Sequence, residues 1–374
     1  KALVVTQFSI SIILIISTAI AFQQLNYMQR KSLGFDREQI VTLPYSTLLA
    51  QQFDAFKTQL LANTSVKDIG RSSRIPTGRL LDANGSQINK GDSLAPTKAD
   101  IKMIRADEGF VPTYGIKVAA GRNFSKDFST DSASFIINEA AVKVLGLRSN
   151  EDAIGKGFLY DDRKGQLIGV INDFHFESMH QRILPMVLFI PESVNSFGRV
   201  SVKIAGNNVK AGLSHIEETW KKFLPEVPYE YTFLDENFSR LYQSEQRQAT
   251  IFTVFAFIAI FIGCLGLFGL SAFAITQRIK EIGIRKVLGA SVGSIVSLLS
   301  KDFIKLVIVA AVIAFPVAWY AMNKWLQDFA YRINISWWIF LLARIIAVCI
   351  ALFTISFQAI KAAIANPVKS LRTE

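Results

Sequence analysis

Four long stretches of this chain carry almost no charge, and no other feature limits its fold as strongly. From Ala2 to Gln29 there is no charged residue, and Leu3 to Phe22 is an apolar run of the ~20 residues a bilayer-spanning helix needs. Residues 248–277 are also uncharged, centred on IFTVFAFIAIFIGCLGLFGLSAFAI. Leu306 to Asn323 lies between Lys305 and Lys324 and carries Pro316, which bilayer helices tolerate in mid-span. Trp337 to Ile360 is apolar apart from Arg344, with Trp337 and Trp338 placed as an interfacial belt. One such run fits a buried core helix; four in one chain predict four membrane spans.

The first run is not read as a signal peptide, because Gln23, Gln24, Leu25, Asn26 and Tyr27 follow it where small residues would mark cleavage. The chain begins without Met, which suggests that residue 1 is a domain boundary.

Composition narrows the class further. With 51% hydrophobic and 19% charged residues, intrinsic disorder is excluded. A net charge of +11 would suit a nucleic-acid binder, but a mean hydropathy of +0.31 does not. Two cysteines cannot staple 374 residues; Cys264 and Cys349 both sit in spans and read as small buried apolar residues.

The loops are unequal. About 220 residues separate spans one and two, whereas roughly ten around Gln327 to Ile335 separate three and four. Lys and Arg near the ends of short loops set orientation. Between spans two and three lie Arg278, Lys280, Arg285, Lys286, Lys301 and Lys305; the third connection has only Lys324 and Arg332, and the tail adds Lys361, Lys369 and Arg372. The second connection and both termini are therefore expected in the cytoplasm, and the large segment outside. The expected spans are 1–26, 248–277, 302–325 and 336–360, with a cytoplasmic tail at 361–374.

The expected fold class is an α+β membrane protein: four transmembrane helices with a large mixed α/β domain at 27–247 between the first and second. Strand Ile40 to Pro44, helix Leu48 to Leu61 and strand Val66 to Ser72 form one unit. Strand Arg199 to Ile204, helix Val209 to Leu224 and strand Tyr229 to Leu234 form another. Two such units predict a split βαβ subdomain, about 27–74 and 196–234, bracketing an inserted subdomain at about 75–195. In the insert the clearest strands are Ile101 to Arg105, Phe135 to Asn138 and Gln166 to Phe176. Residues 235–247 have helical spacing and no Pro or Gly, so they are expected to run as one stalk helix into span two.

No nucleotide-binding loop, G-x-S-x-G elbow, H-E-x-x-H helix or CxxC occurs, so neither a catalytic site nor a cofactor is expected. On a strand, Asp173, His175 and Glu177 would share a face near His180, a ligand-like pattern. A solvated or hydrogen-bonded strand edge explains the pattern as well, and no second ligand pair completes a metal site. Arg344 lies about seven residues into the last span, where snorkelling or an interhelical contact is favoured over a substrate pathway.

The cytoplasmic connection 278–301 is the most informative stretch. Arg278 to Leu288 reads as a short helix, with Glu281 and Arg285 in the favourable i, i+4 order, Gly289 as terminator and Ser291 capping the next helix. Ile279, Ile282, Ile284, Val287 and Leu288 make it apolar enough either to lie under headgroups or to dock a cytosolic partner. The residues themselves leave those two alternatives open.

The run RIKEIGIRKVLGAS, the spans after it and the ending NPVKSLRTE resemble FtsX-like and MacB-like ABC transporter permeases. LVVTQFSISIILI, YGIKVAAGRNF and GVINDFHFESMHQRILP resemble the long permeases of Bacteroidetes-type bacteria, in which a four-span unit occurs twice; by that likeness this chain is the second half. The resemblance implies an inner-membrane, multi-pass permease that transmits the movement of a cytosolic ABC ATPase to a periplasmic MacB-like core domain. Its coupling helix would bear Arg278, Lys280, Glu281, Ile282, Ile284, Arg285, Lys286, Leu288 and Gly289. The implied partners are that ATPase on a separate chain, a second four-span unit, membrane lipid and an outer-membrane or periplasmic protein, but no nucleic acid. The implied role is export or extraction of a substrate from the periplasm or outer leaflet. The alternative is an FtsX-like regulatory module that controls a cell-wall hydrolase or senses a peptide, and a third is an anchored metalloenzyme using His175 and His180.

Overall fold

A computed structural model describes residues 2–90, 93–206 and 208–364, without the side chains of Lys90, Ile279, Lys280, Lys286, Ala362 and Ala363. The ending NPVKSLRTE therefore lies outside the described residues. The chain divides into two units, Lys1–Arg30 with Gln243–Glu374, and Lys31–Tyr242.

The first unit holds the helices Ala2–Arg30, Gln243–Gln277, Val292–Leu326 and Trp337–Ile364, all long and apolar enough to cross a membrane. They outrun the apolar stretches, because helical hydrogen bonding continues past the last apolar turn. In lipid, helices associate through close packing and hydrogen bonds rather than hydrophobic exclusion, which favours small residues where they touch. The third helix accordingly buries Ala310, Ala311, Ala314 and Ala318, and the fourth buries Ala343, Ala347 and Ala351 at four-residue spacing. Phe8, Ile12, Ile16 and Ile20 of the first helix pack into the same core. The Pro316 helix runs unbroken. Near the outer end of the first helix, Gln24 is fully buried; its Nε2 donates to the Tyr331 carbonyl at 2.9 Å and its Oε1 accepts from Ile333 N–H at 3.0 Å.

The second unit contains two sheets. In chain order the strands are β1 (Ile40–Pro44), β2 (Val66–Ser72), β3 (Ser86–Lys90), β4 (Ser93–Thr97), β5 (Lys102–Arg105) and β6 (Val118–Gly121). They continue with β7 (Phe135–Asn138), β8 (Gly157–Tyr160), β9 (Arg163–Ile171), β10 (Met186–Phe189), β11 (Arg199–Ile204) and β12 (Thr232–Phe233). The smaller sheet has the order β12-β1-β11-β2. Since β11 is antiparallel to both β1 and β2, each strand–helix–strand unit straddles a strand of the other, which is the split βαβ arrangement. Helices Thr47–Leu61 and Val209–Phe223 cover one face, where Phe53, Phe56 and Trp220 meet Val41, Leu43, Val200 and Val202. Ser46 and Asn208 cap these helices by accepting from Leu49 N–H and Ala211 N–H.

The inserted residues build the larger sheet, β4-β3-β8-β9-β7-β10-β5, with β6 also paired to β9. The two sheets bracket a shared apolar core containing Ile40, Phe110, Tyr114, Ile136, Phe174 and Leu188. The mixed α/β fold with four candidate spans and a split subdomain agrees with the expectation from sequence.

Three local expectations are corrected. The strand expected at 229–234 keeps only Thr232–Phe233, and Leu234 already begins a helix. The strand expected at 166–176 is displaced: β9 ends at Ile171, after which Asn172 N–H bonds to the Lys117 carbonyl and His175 N–H to the Leu33 carbonyl, so the ladder is abandoned. The single helix expected from 235 into span two is broken. Helix Leu234–Leu241 stops at Tyr242 (φ −109°, ψ 15°) and a new one starts at Gln243, because buried Tyr242 is held by contacts of its own.

Candidate functional site

Between the second and third long helices lies the short helix Ile279–Val287. A tight turn at Arg278, whose N–H donates to the Ile275 carbonyl at 3.0 Å, separates it from the second span. At its far end Gly289 takes φ +87°, a left-handed conformation that costs other residues about 1 kcal/mol or more. That geometry lets Ala290 N–H close on the Arg285 carbonyl at 2.9 Å. Ser291 then caps the third helix by accepting from Ser294 N–H.

This helix is two-sided. Ile282 is 7% exposed and packs with Ile275, Ile295, Leu299 and Ala359, which fixes the helix against the ends of the bundle. On the other side Ile284, Val287 and Leu288 are 53%, 68% and 81% exposed. Their i, i+3, i+4 spacing places them together, the pattern by which a helix seats in a partner's groove. Glu281 and Arg285 pair across one turn at 2.8 Å, and Arg278 pairs with Asp302 at 3.2 Å. Both pairs are solvent-exposed and contribute little stability, but the Glu281–Arg285 pair holds charges beside the apolar trio. Thus Arg278, Glu281, Ile282, Ile284, Arg285, Leu288 and Gly289 come together on one small element. The side chains of Lys280 and Lys286, which belong to the same expectation, lie outside the described residues.

The ligand-like segment 172–180 is dispersed. Asp173 Oδ1 accepts from Ala140 N–H at 2.7 Å and Oδ2 lies 3.7 Å from Lys143 Nζ. Glu177 accepts from Leu80 N–H, His180 Nδ1 meets Ser178 Oγ at 2.7 Å, and His175 is buried. Among the described residues no three His, Cys, Asp or Glu side chains converge on one point. Of the alternating polar residues that suggest a strand here, Asp173 and Glu177 instead accept from backbone N–H groups in two other parts of the domain, at Ala140 and Leu80. Arg344 is exposed on the fourth helix, turned away from the alanine stripe that packs inside the bundle.

Sequence reasoning missed Asp302, Tyr242 and Gln24. The only signal for Gln24 is a polar amide amid apolar helix residues, and its partners are backbone groups some three hundred residues away, which no local pattern reveals.

Residues 253–367 match the FtsX-like permease C-terminal family. The chain is 24% identical over 201 residues to the macrolide export ATP-binding/permease protein MacB of Bartonella quintana (strain Toulouse), covering 52% of this chain and 30% of that protein. It is 21% identical over 284 residues to the uncharacterized ABC transporter permease YknZ of Bacillus subtilis (strain 168), covering 74% and 71%. Among solved structures, the periplasmic region of MacB from Actinobacillus actinomycetemcomitans aligns with a TM-score of 0.37 at 15% identity, over 56% of this chain and 94% of that one. Where it matches MacB, the chain spans about a third of that protein's length. The expected relationship to FtsX-like and MacB-like ABC transporter permeases is therefore present. Together with the four apolar helices it identifies a multi-pass inner-membrane protein with a periplasmic domain.

Proposed function

We propose that this relative of the MacB-like and FtsX-like permeases is the membrane unit of an ABC transporter, and that it converts the ATP-driven movement of a cytosolic ATPase into movement of its periplasmic domain. The ATPase, on a separate chain, docks on helix Ile279–Val287; a second four-span unit completes the membrane part. The work done is export or extraction of a substrate from the periplasm or the outer leaflet.

One observation carries this reading. The helix is anchored on one side through Ile282 and offers Ile284, Val287 and Leu288 on the other, with the Glu281–Arg285 pair alongside. A helix resting only under headgroups needs apolar residues on its lipid side but no rigid attachment to the bundle. A lever needs both an attachment and a free docking face.

The test is co-purification. The full chain is co-expressed with the ATPase that it retains on purification, in native form, as Ile284→Pro, and with Glu281→Arg and Arg285→Glu combined. Both variants are expected to lose the ATPase while the periplasmic domain keeps its amide protection. Unchanged ATPase binding and stimulation in both would refute the docking assignment.

A further inference from the structure

Alternate residues of segment 173–179 each hold a different part of the periplasmic domain. Asp173 accepts from Ala140 N–H at the start of helix Glu139–Val144, and Glu177 accepts from Leu80 N–H. The backbone N–H of His175 donates to the Leu33 carbonyl at 2.8 Å, and that of Met179 donates to the Tyr242 hydroxyl at 2.9 Å. The last two partners lie at the two ends of the domain. Leu33 stands just after the first span's helix, which ends at Arg30, and Tyr242 just before the second span's helix, which begins at Gln243.

Packing reinforces both attachments. Gly34 has φ +80°, and a Cβ there would sit 2.6 Å from the Asp173 carbonyl oxygen and 2.9 Å from Phe174 Cα, so the incoming chain is pressed directly on the segment. Phe35 meets Phe174 edge-on at 6.2 Å. On the outgoing side the His180 ring stacks on Tyr242 at 6.3 Å and 20°. The incoming and outgoing chain also touch, Arg37 lying over the Phe238 ring at 5.1 Å.

The break at Tyr242 shows why this matters. A helix interrupted there is a natural hinge, and a hinge absorbs movement instead of passing it on. We propose that segment 173–180 is a clasp that fixes the incoming and outgoing chain as a pair, so that displacement of the first two spans reaches the periplasmic domain. It is a positioning element, and it rests on the transmission function proposed above. Of the side chains singled out in the sequence as ligand-like, Asp173 and Glu177 serve here to grip backbone, and His180 to stack on Tyr242.

The test uses the full chain in lipid nanodiscs, with and without its co-purified ATPase, read by amide hydrogen exchange. Tyr242→Phe removes the acceptor of the Met179 N–H, His180→Ala removes the stack, and His180→Phe restores a ring. In Tyr242→Phe and His180→Ala, exchange is expected to rise about tenfold at 33–36 and 238–242 together, the size of leaving one buried amide without its partner. Amides of β1 and β11 should be unchanged, which excludes misfolding, and His180→Phe should return toward native rates. With the ATPase bound, adding ATP and vanadate should alter exchange in the periplasmic domain of the native chain but not of these two variants, although both retain the ATPase.

Loosening at 238–242 alone would overturn the clasp, because the two ends would then be fastened separately. A native-sized response to ATP in the loosened variants would overturn its role in transmission. If the native chain responds to no nucleotide and binds no ATPase, the proposed function fails, and the clasp is decided by the exchange pattern alone.

Discussion

At the scale of single residues, the periplasmic domain contains a titratable group whose environment opposes its charge. His175 is 5% exposed, and burial first, then the positive charge of Lys31, lowers its pKa to about 4. An unfolded chain holds this imidazole at about 6.5. Above that value neither state is protonated and His175 contributes nothing to pH dependence. As pH falls from about 6.5 toward 4, the unfolded state takes up a proton that the folded state refuses, and stability declines by up to ~3 kcal/mol. Protection factors at 33–36, corrected for the intrinsic exchange rate, should therefore drop between pH 6.5 and 4.5 in the native chain. His175→Gln, which cannot titrate, should flatten that dependence. An equal slope in both proteins would assign the acid sensitivity to other groups. The residue identities made His175 conspicuous in the sequence, but its role was hidden, because a buried neutral histidine and one poised for a metal look alike until their neighbours are known.

At the scale of elements, legibility followed the strength of local patterns. β1, β2, β7 and β11 were readable to the residue: β1 and β7 are β-branched or apolar runs, β11 alternates apolar and polar residues, and β2 follows an amphipathic helix at the spacing of a strand–helix–strand unit. β12 shrank to Thr232–Phe233, since Tyr229 packs its ring on Trp220 and Tyr231 packs on Tyr229 instead of extending the ladder. Segment 172–180 misled because its polar alternation has the period of a strand while its hydrogen bonds go elsewhere. The short helix Ile279–Val287 was legible through its i, i+4 pair and glycine stop. Its two-sidedness was not, because which apolar residues turn inward depends on Leu299 and Ala359, supplied by other helices. The Gln24 clamp is the clearest long-range case, joining the first helix to the loop between the third and fourth. Gln24→Leu removes both hydrogen bonds, and at the ~0.6 kcal/mol typical of such bonds in membranes the two together are worth about 1 kcal/mol. The Ile333 amide should then exchange several-fold faster. Gln24→Glu keeps an acceptor for Ile333 N–H and loses the donor to Tyr331, so its exchange should fall between. If Gln24→Glu exchanges as fast as Gln24→Leu, the amide pairing at Ile333 is not what protects the loop.

For the whole molecule, the charge distribution carries most of the functional meaning. Residues 27–247 hold 28 basic and 26 acidic side chains, whereas the remaining residues hold 13 basic and 4 acidic. The excess that makes the chain basic thus lies beside the spans, where positive charge retains loops in the cytoplasm and meets anionic lipid. Exposed Leu288 and exposed Asp328 belong to successive connections and should therefore face opposite sides of the membrane. In a background with Cys264 and Cys349 replaced by Ala, Leu288→Cys and Asp328→Cys place one thiol in each connection. With the outer membrane permeabilised and the inner membrane intact, an impermeant maleimide should label Asp328→Cys and spare Leu288→Cys; opening the inner membrane should make both reactive. The reverse order would put helix Ile279–Val287 on the periplasmic side, out of reach of any ATPase, and the lever reading would fall with it. The same result would leave the packing of the bundle and the two sheets untouched, since neither depends on which side of the membrane the charges occupy.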